Sequence, residues 1–360
     1  IMSGDWSSDV CSSDLCLPLE EGPSAKRETC VSRSFSRPIT DAGELHQAVA
    51  SYVVRAAEKL RRQRQRAGRL TVFARTSPFA PGFTSQAAGV TLPLASNDTA
   101  VLLQAAAEVA QYAAAIAMQW YRTDVHVEIK GDGSPVTIAD REAERAAREW
   151  LAKRFPHDGV FGEEFDDERG DAPRRWILDP IDGTKAFVRG VPLWGTLVAC
   201  CEGDTVIAGA ACYPAVQETV SAALGEGCWW NGSRASVSRV AQLRDATTLI
   251  TDDRFLERPH RRAKWQALSA DAAVARTWGD CYGYLLVATG RAEAMIDDIV
   301  NPWDAAAMYP LITEAGGRFT DWRGRDTAFG GDVIATNAAL GDIVRLYLVE
   351  PLDPAAGVSV

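Results

Sequence analysis

Carboxylates stand beside glycine or proline in three short segments of the chain. These segments are Gly162-Glu163-Glu164, Asp179-Pro180-Ile181-Asp182-Gly183-Thr184 and Asn301-Pro302-Trp303-Asp304. Carboxylates that converge on one point repel each other unless a cation neutralises them, and hard oxygen ligands select Mg²⁺ or Mn²⁺ over zinc or copper. We therefore expect a divalent-metal site built from Glu163, Asp179, Asp182 and Asp304.

The middle segment is the most informative of the three. An apolar strand leads into Asp179, Pro180 sets a turn, and this turn brings Asp182 back to the same end of the strand. Gly183 then lets the backbone approach a ligand closely, and the N–H groups of Gly183 and Thr184 can donate to phosphate oxygens. Two metals at such a site serve phosphoryl transfer, because they polarise the phosphate, lower the pKa of a bound water and stabilise the leaving oxygen.

A plainer interpretation is that these are solvated carboxylates in turns, as most Asp and Glu residues in loops are. Any one segment alone leaves that alternative open. The occurrence of all three in this order favours the metal site.

The patterning around these segments predicts helices that alternate with two groups of strands. An Ala-rich helix, capped by Asn97 or Asp98, runs to about Tyr121, and Thr137 caps a second helix that ends near Phe155. Further helices are predicted around 281–289 and 303–315, and strands at 126–130, 175–178, 193–201, 205–212, 218–223, 292–296, 318–320 and 333–336. This alternation predicts a layered α/β or α+β architecture.

Composition and charge exclude several classes of protein. The 360 residues are 47% hydrophobic, which is ample for a sizeable core, and the net charge of −10 disfavours non-specific binding to nucleic acid or an anionic membrane. No uninterrupted apolar run approaches the roughly 20 residues that span a bilayer, and the N-terminus lacks a secretory pattern. The eight cysteines contain no CxxC pair, so reduced thiols are expected. We expect a cytoplasmic enzyme without nucleic-acid or membrane partners.

The first 95 residues differ in character from the rest. Ser, Arg and Gly dominate them, and residues 4–15 have no period that a helix or strand could use. A helix is predicted from about Asp41 to Arg66, where it ends in a basic run. We expect residues 1–95 to be a disordered or non-native N-terminal extension and residues 96–350 to form the phosphatase domain. A transit peptide or an RNA-binding arm is the alternative, although such a basic run is usually a solvated helix face.

Several stretches of the chain resemble the inositol monophosphatase family of metal-dependent sugar-type phosphatases. They are GDGSPVTIAD at Gly131 to Asp140, GEE at Gly162 to Glu164, DPIDGT at Asp179 to Thr184, NPWDAAA at Asn301 to Ala307 and EAGG at Glu314 to Gly317. The resemblance covers roughly Asn97 to Leu348. It implies a layered α-β-α-β-α fold, usually in a homodimer, and a small-molecule phosphomonoester as substrate.

The resemblance also implies roles for individual residues. Two or three Mg²⁺ ions, or Mn²⁺ in their place, would be bound by Glu163, Asp179, the Ile181 carbonyl, Asp182 and Asp304. Glu163 and Thr184 would position and activate the attacking water, with Asp140 supporting Thr184. The candidate substrate-binding residues are Asp182, Gly183, Thr184, Arg276, Asp280, Asp297 and Asp304. No role is assigned to Glu164.

Within the family the resemblance is closest to the histidinol-phosphate phosphatase branch. It is carried by RTWGDCYGY at Arg276 to Tyr284 and FVRGVPLWGTL at Phe187 to Leu197. Histidinol phosphate carries an ammonium and an imidazole, so a pocket with Asp280 and Asp297 would favour it over a neutral polyol. Asp280 could instead cap the helix that begins at Cys281. Arg276 could pair with phosphate, cross a dimer interface or be a plain surface residue.

The leading hypothesis is a Mg²⁺-dependent phosphomonoesterase that hydrolyses L-histidinol phosphate to L-histidinol and phosphate. An inositol-1-monophosphatase or a broad-specificity sugar phosphatase is the alternative within the family. A catalytically inactive binding or scaffold protein is disfavoured, because every expected ligand position carries a suitable residue.

Overall fold

The computed structural model describes residues 56, 67–75, 85–96, 99–131, 133–170, 172 and 174–348. The chain divides into two units, Ile1–Asp98 and Thr99–Val360. In the first unit the backbone forms an antiparallel hairpin of β1 (Ala67–Arg75) and β2 (Ser85–Ser96). Except for residue 56, the helix predicted over 41–66 lies outside the described residues, as do both candidate caps at 97 and 98. The division into 1–95 and 96–350 stays a prediction.

The second unit contains helices of four to twenty residues. They are α1 (Thr99–Met118), α2 (Ile138–Arg154), α3 (Thr184–Val188), α4 (Arg262–Asp271), α5 (Asp280–Ala288), α6 (Pro302–Ala305), α7 (Met308–Glu314) and α8 (Gly341–Leu348). A small antiparallel hairpin of β3 (Val127–Ile129) and β4 (Pro135–Thr137) precedes α2.

A seven-stranded sheet and a five-stranded sheet form the framework of this unit. The larger sheet consists of β5 (Gly159–Gly162), β6 (Arg174–Asp182), β7 (Gly195–Glu202), β8 (Thr205–Tyr213), β9 (Glu218–Ala223), β10 (Gly227–Trp230) and β11 (Ser233–Arg234), paired in chain order. The smaller sheet has the order β13 (Val274–Arg276), β12 (Thr247–Ile250), β14 (Ala294–Asp297), β16 (Val333–Thr336) and β15 (Arg318–Thr320).

Three buried clusters fill the spaces between the layers. Helices α1 and α2 cover one face of the larger sheet, where Trp176 and Trp194 are fully buried. Helices α5 and α7 lie between the two sheets, and α4 and α8 cover the outer face of the smaller sheet around Trp322. The layer order is therefore α-β-α-β-α, which confirms the predicted fold class.

Helix α1 is a core helix by its packing. Its length and composition alone would suffice to cross a membrane. Its buried residues, however, recur three and four positions apart and pack onto β7, β8 and β9: Leu102, Ala105, Ala106, Val109, Ala110, Ala113, Ala114 and Ala117. The opposite side, with Gln104 and Tyr112, is exposed. This single apolar stripe is typical of a helix that faces a protein core.

Most predicted elements are confirmed within a few residues, but one predicted helix is wrong. The helix expected over 303–315 consists of α6 and α7, separated at Ala306 and Ala307. Pro310 has no N–H, so the Ala306 carbonyl cannot receive the usual helical hydrogen bond from four residues on. The prediction also missed several elements, most of them short: β1, β2, β4, β5, β10 to β13, α3, α4 and α8.

Candidate metal centre and substrate pocket

Three of the four predicted carboxylate ligands converge. Asp179 lies inside β6 and is 1% exposed, Asp182 ends that strand, and Asp304 lies in α6. One oxygen of each carboxylate lies within 4.8 Å of the others. Strand β6 continues through Pro180 to Asp182, so the turn predicted at Pro180 is not formed. Instead, the pairing of β6 with β7 is irregular between Asp179 and Asp182, as at a β-bulge. Helix α6, which packs on β6, supplies the third carboxylate.

The electrostatics of this cluster favour a cation. Burial, followed by repulsion from neighbouring carboxylates, raises the pKa of both Asp179 and Asp182 well above the usual range. Burial raises the pKa of Asp304 to about 6, against the stabilising hydrogen bond from the Asn301 N–H at 2.7 Å. A divalent ion would neutralise these charges at once, and the all-oxygen donor set suits Mg²⁺ or Mn²⁺.

Glu163, the fourth predicted ligand, is paired with a lysine. It follows β5, which runs parallel to β6, so both strands end at the same edge of the sheet. The Glu163 carboxylate lies close enough to Asp179 to raise the pKa of that residue, after the larger effect of burial. Its Oε1 accepts a hydrogen bond from Lys130 Nζ at 2.8 Å. Lys130 also donates to Glu164 Oε1 at 2.6 Å, which gives Glu164 a partner that the sequence did not predict.

Lys130 lies next to β3, just before the Gly131 to Asp140 motif. Burial lowers its pKa, but the hydrogen bonds to Glu163 and Glu164 outweigh that effect, so the ammonium is held in its charged form. Burial raises the pKa of Glu164 to about 7. The only sequence signal for Lys130 was its position directly before the motif at Gly131 to Asp140.

The predicted water-activating residues are only partly brought together. Thr184 Oγ1 donates to the Ile181 carbonyl at 2.9 Å, so this carbonyl, a predicted metal ligand, has one lone pair engaged. Asp140 Oδ2 accepts bonds from the N–H and the hydroxyl of Thr137, both at 2.7 Å, which complete the capping box of α2. In the described part of the chain no hydrogen bond joins Asp140 to Thr184, because the Thr184 hydroxyl donates to the Ile181 carbonyl. Asp140 Oδ1 is buried without a hydrogen-bond partner in the described part of the chain.

The N-terminus of α5 meets the metal centre. The Cys281 N–H donates to Asp182 Oδ2, so the positive end of a nine-residue helix faces a predicted metal ligand. Asp280 begins this helix with φ at +50° and Gly279 is the N-cap, so the alternative that Asp280 is the N-cap is wrong.

The Asp280 side chain lies close to the predicted metal centre. A β-carbon built on Gly183 would lie 3.4 Å from Asp280 Oδ2. Asp280 also contributes to the raised pKa of Asp182. Burial raises the pKa of Asp280 itself, an effect that nearby Lys185 opposes. Among the described residues, no hydrogen bond reaches the Asp280 carboxylate.

Asp297 and Arg276 do not join this pocket in the way the sequence predicted. Asp297 is buried, and its oxygens accept bonds from Tyr284 Oη at 2.7 Å and from the Thr251 N–H at 3.2 Å. Burial raises its pKa to about 7. Thr251 Oγ1 in turn accepts a hydrogen bond from the Asp280 N–H. Asp297 is therefore linked to the backbone of Asp280 through Thr251. Arg276 is exposed at the end of β13 and donates to the neighbouring Ala275 carbonyl.

Comparison with known proteins agrees with this geometry. A family model described as the inositol monophosphatase family matches residues 98–347. A second model, the impB/mucB/samB family C-terminal domain, matches residues 26–123. The two matches share only residues 98–123, at the start of the first match.

Three curated relatives are named histidinol-phosphatase. The protein from Chlorobaculum parvum is 42% identical over 66% of this chain and 93% of its own length. The one from Mycobacterium tuberculosis is 39% identical over 62% of this chain and 88% of its own length. A solved inositol monophosphatase from Zymomonas mobilis matches with a TM-score of 0.62 and 31% identity, covering 68% of this chain and 96% of that structure. The chain therefore belongs to the inositol monophosphatase family of phosphoric monoester hydrolases.

Proposed function

We propose that this enzyme hydrolyses L-histidinol phosphate to L-histidinol and inorganic phosphate. The observation that carries the proposal is the Asp280 carboxylate, which lies beside Gly183 and close to Asp182 without a hydrogen-bond partner in the described residues. A half-buried carboxylate in this state favours a cationic group on the substrate, because an ammonium supplies both charge and hydrogen-bond donors. The three relatives named histidinol-phosphatase support the same assignment.

We propose that Glu163, Asp179, Asp182, Asp304 and the Ile181 carbonyl hold two or three Mg²⁺ ions, with Mn²⁺ as the alternative. When bound there, the metal polarises the phosphate and lowers the pKa of a coordinated water. The protein contributes orientation. The α5 N-terminus fixes one oxygen of Asp182, and the Asn301 N–H fixes one oxygen of Asp304.

The proton-handling residues follow from the same geometry. We propose that the Thr184 hydroxyl orients the attacking water. When this hydroxyl releases the Ile181 carbonyl, it would donate to Asp140 Oδ1 instead. That oxygen is buried and without a partner in the described residues, so a hydroxyl donor there would remove the cost of leaving it unsatisfied. The N–H groups of Gly183 and Thr184 are the proposed donors to phosphate oxygens.

A substrate panel tests the assignment. Release of phosphate in the presence of Mg²⁺ would be compared for histidinol phosphate, inositol 1-phosphate and fructose 1,6-bisphosphate. We expect kcat/KM for histidinol phosphate to be at least about tenfold higher than for the others. A preference of that size for inositol 1-phosphate would contradict the assignment and favour the alternative, an inositol-1-monophosphatase or broad sugar phosphatase. A carboxylate such as Asp280 can also accept bonds from sugar hydroxyls, which is the observation that keeps this alternative open.

Neutralising Asp280 tests the source of the specificity. Asp280→Asn should raise KM for histidinol phosphate about tenfold or more while changing the KM for inositol 1-phosphate much less, because only the former loses an ion pair. Asp253→Asn removes the same charge from an exposed turn nearby and should leave both values unchanged. Equal losses for both substrates in Asp280→Asn would mean that Asp280 acts on the metal centre rather than on the ammonium.

We further propose that the catalytic unit, residues 96–350, acts as a homodimer in the cytoplasm. Light scattering on the purified chain would measure its mass in solution, and a monomer would contradict the proposed assembly.

A further inference from the structure

The loop that carries Glu163 and Glu164 is held by a buried carboxylate on α2. Glu144 is 0% exposed. Its Oε2 accepts the Glu164 N–H at 2.8 Å, and its Oε1 accepts Arg148 Nε at 2.8 Å, one helical turn further on. An ionised carboxylate that accepts a backbone N–H at this distance forms a strong bond of fixed direction.

Arg148 extends this hold to the far end of the loop. Its Nη2 donates to the Phe165 carbonyl at 3.0 Å, and its guanidinium carbon lies 5.7 Å from the centre of the Phe165 ring. Glu144 and Arg148 thus bind one N–H, one carbonyl and one aromatic ring of a loop of only a few residues.

The closeness of this packing explains the glycine that precedes the two glutamates. A β-carbon on Gly162 would lie 2.1 Å from Glu144 Oε1, which is far inside van der Waals contact. The loop and the helix can approach this closely only because residue 162 has no side chain. The Glu163 N–H is fixed separately, by the Leu178 carbonyl at 3.2 Å.

We propose that Glu144 and Arg148 are positioning residues for metal binding, which hold the backbone of residues 162–165 so that the Glu163 carboxylate reaches the aspartates of β6. The inference rests on the proposed metal centre. Neither residue touches the Asp179, Asp182 or Asp304 side chain through any contact in the described chain. Their effect is to limit the entropy that Glu163 would otherwise lose when it is ordered around an ion.

The alternative is that Glu144 and Arg148 are an ordinary buried ion pair that contributes to stability alone. The chain contains a matched control for it at the opposite end of β5. Asp158 is 9% exposed and accepts bonds from Arg174 Nε at 2.7 Å and Trp176 Nε1 at 2.9 Å. Glu144 and Asp158 therefore each pair with an arginine and a neutral N–H beside β5. They differ in position, because Asp158 precedes β5, whereas the loop that Glu144 holds, with Glu163, follows it.

The experiment compares Glu144→Gln with Asp158→Asn in the full chain. Calorimetry would measure the Kd for Mn²⁺, and thermal unfolding without metal would measure Tm. Glutamine keeps the shape and an acceptor for the Glu164 N–H, but it loses the ion pair with Arg148. We expect Glu144→Gln to weaken Mn²⁺ binding about tenfold or more, and Asp158→Asn to lower Tm while its Kd stays within about twofold of the unmodified chain.

An unchanged Kd in Glu144→Gln, or equal weakening in both variants, would overturn the inference. If Glu144→Gln does not fold, Arg148→Lys serves instead. Lysine keeps a charge near Glu144 but loses the planar fork that reaches Phe165, so its Kd should rise severalfold, and an unchanged Kd would likewise overturn the inference. Absence of Mn²⁺ binding by the unmodified chain would reject the proposed metal centre itself, together with any positioning role, whereas binding that the variants leave unaltered would reject the positioning role alone.

Discussion

Asp182 experiences opposite electrostatic influences. Asp280 and Asp304 disfavour its ionised form, while the Cys281 N–H at the start of α5 stabilises it. The helix fixes Oδ2, and one oxygen of Asp182 lies within 4.8 Å of those of Asp179 and Asp304. This arrangement orients the side chain before any ion binds, which is what a metal ligand requires.

Asp182→Asn should remove catalysis without unfolding the protein. The amide oxygen can still accept the Cys281 N–H, but a neutral side chain is a poor ligand for a hard cation. We expect phosphate release to fall at least about 100-fold, while Tm without metal stays the same or rises because carboxylate repulsion is relieved. Phosphatase assays and thermal unfolding measure both quantities. Retention of full activity would contradict the metal-site assignment.

At the scale of secondary structure, the residue that follows β3 in the β3–β4 hairpin supplies a cation to two carboxylates after β5. Lys130, at the end of β3, bonds to Glu163 and Glu164 and thereby offsets the charge of the loop after β5. Glu163 is also a proposed metal ligand, so the ammonium and a metal ion compete for the same carboxylate. Metal binding at Glu163 would therefore be coupled to the hairpin.

Lys130→Met should make the protein more dependent on metal. Two acidic side chains lose their partner, so we expect a lower Tm without metal, and the rise in Tm on adding Mg²⁺ should be larger because the competing cation is gone. Lys153→Met, which removes an exposed lysine from α2, is the matched control and should change neither value. A smaller Mg²⁺-induced rise in Lys130→Met would show that the lysine assists metal binding instead.

At the scale of the whole molecule, the buried carboxylates make stability depend on pH. Asp297 and Glu164 have pKa values of about 7 and Asp304 of about 6, all raised first by burial. Below these values the folded protein binds protons that the unfolded chain, with ordinary carboxyl pKa values, has already released. Stability contributed by these groups is therefore lost as the pH rises from about 4 through 7.

Thermal unfolding checks this sign. Without metal, Tm should be higher at about pH 5.5 than at about pH 8, and Mg²⁺ should raise Tm more at the higher pH, because metal binding requires deprotonated ligands. A metal-free Tm that is higher at about pH 8 would contradict the raised pKa values of these three carboxylates.

The sequence by itself determined the ligands that lie within short motifs. Asp179 and Asp182 share one strand, and the Pro302 to Asp304 stretch begins a helix, so residues a few positions apart decide on which element each carboxylate lies. The capping box at Thr137 and the apolar stripe of α1 were predictable for the same reason, since both depend on residues a few positions apart.

Only the tertiary structure decided the contacts between distant residues. Lys130 reaches Glu163 across 33 positions and Cys281 reaches Asp182 across 99, and no periodicity of the sequence encodes such pairings. The same limit applies to Asp297, because no spacing in the sequence predicts its hydrogen bonds from Tyr284 and Thr251. Which way a carboxylate points at the end of a strand depends on the layer packed against it, and that layer forms only when the two sheets come together.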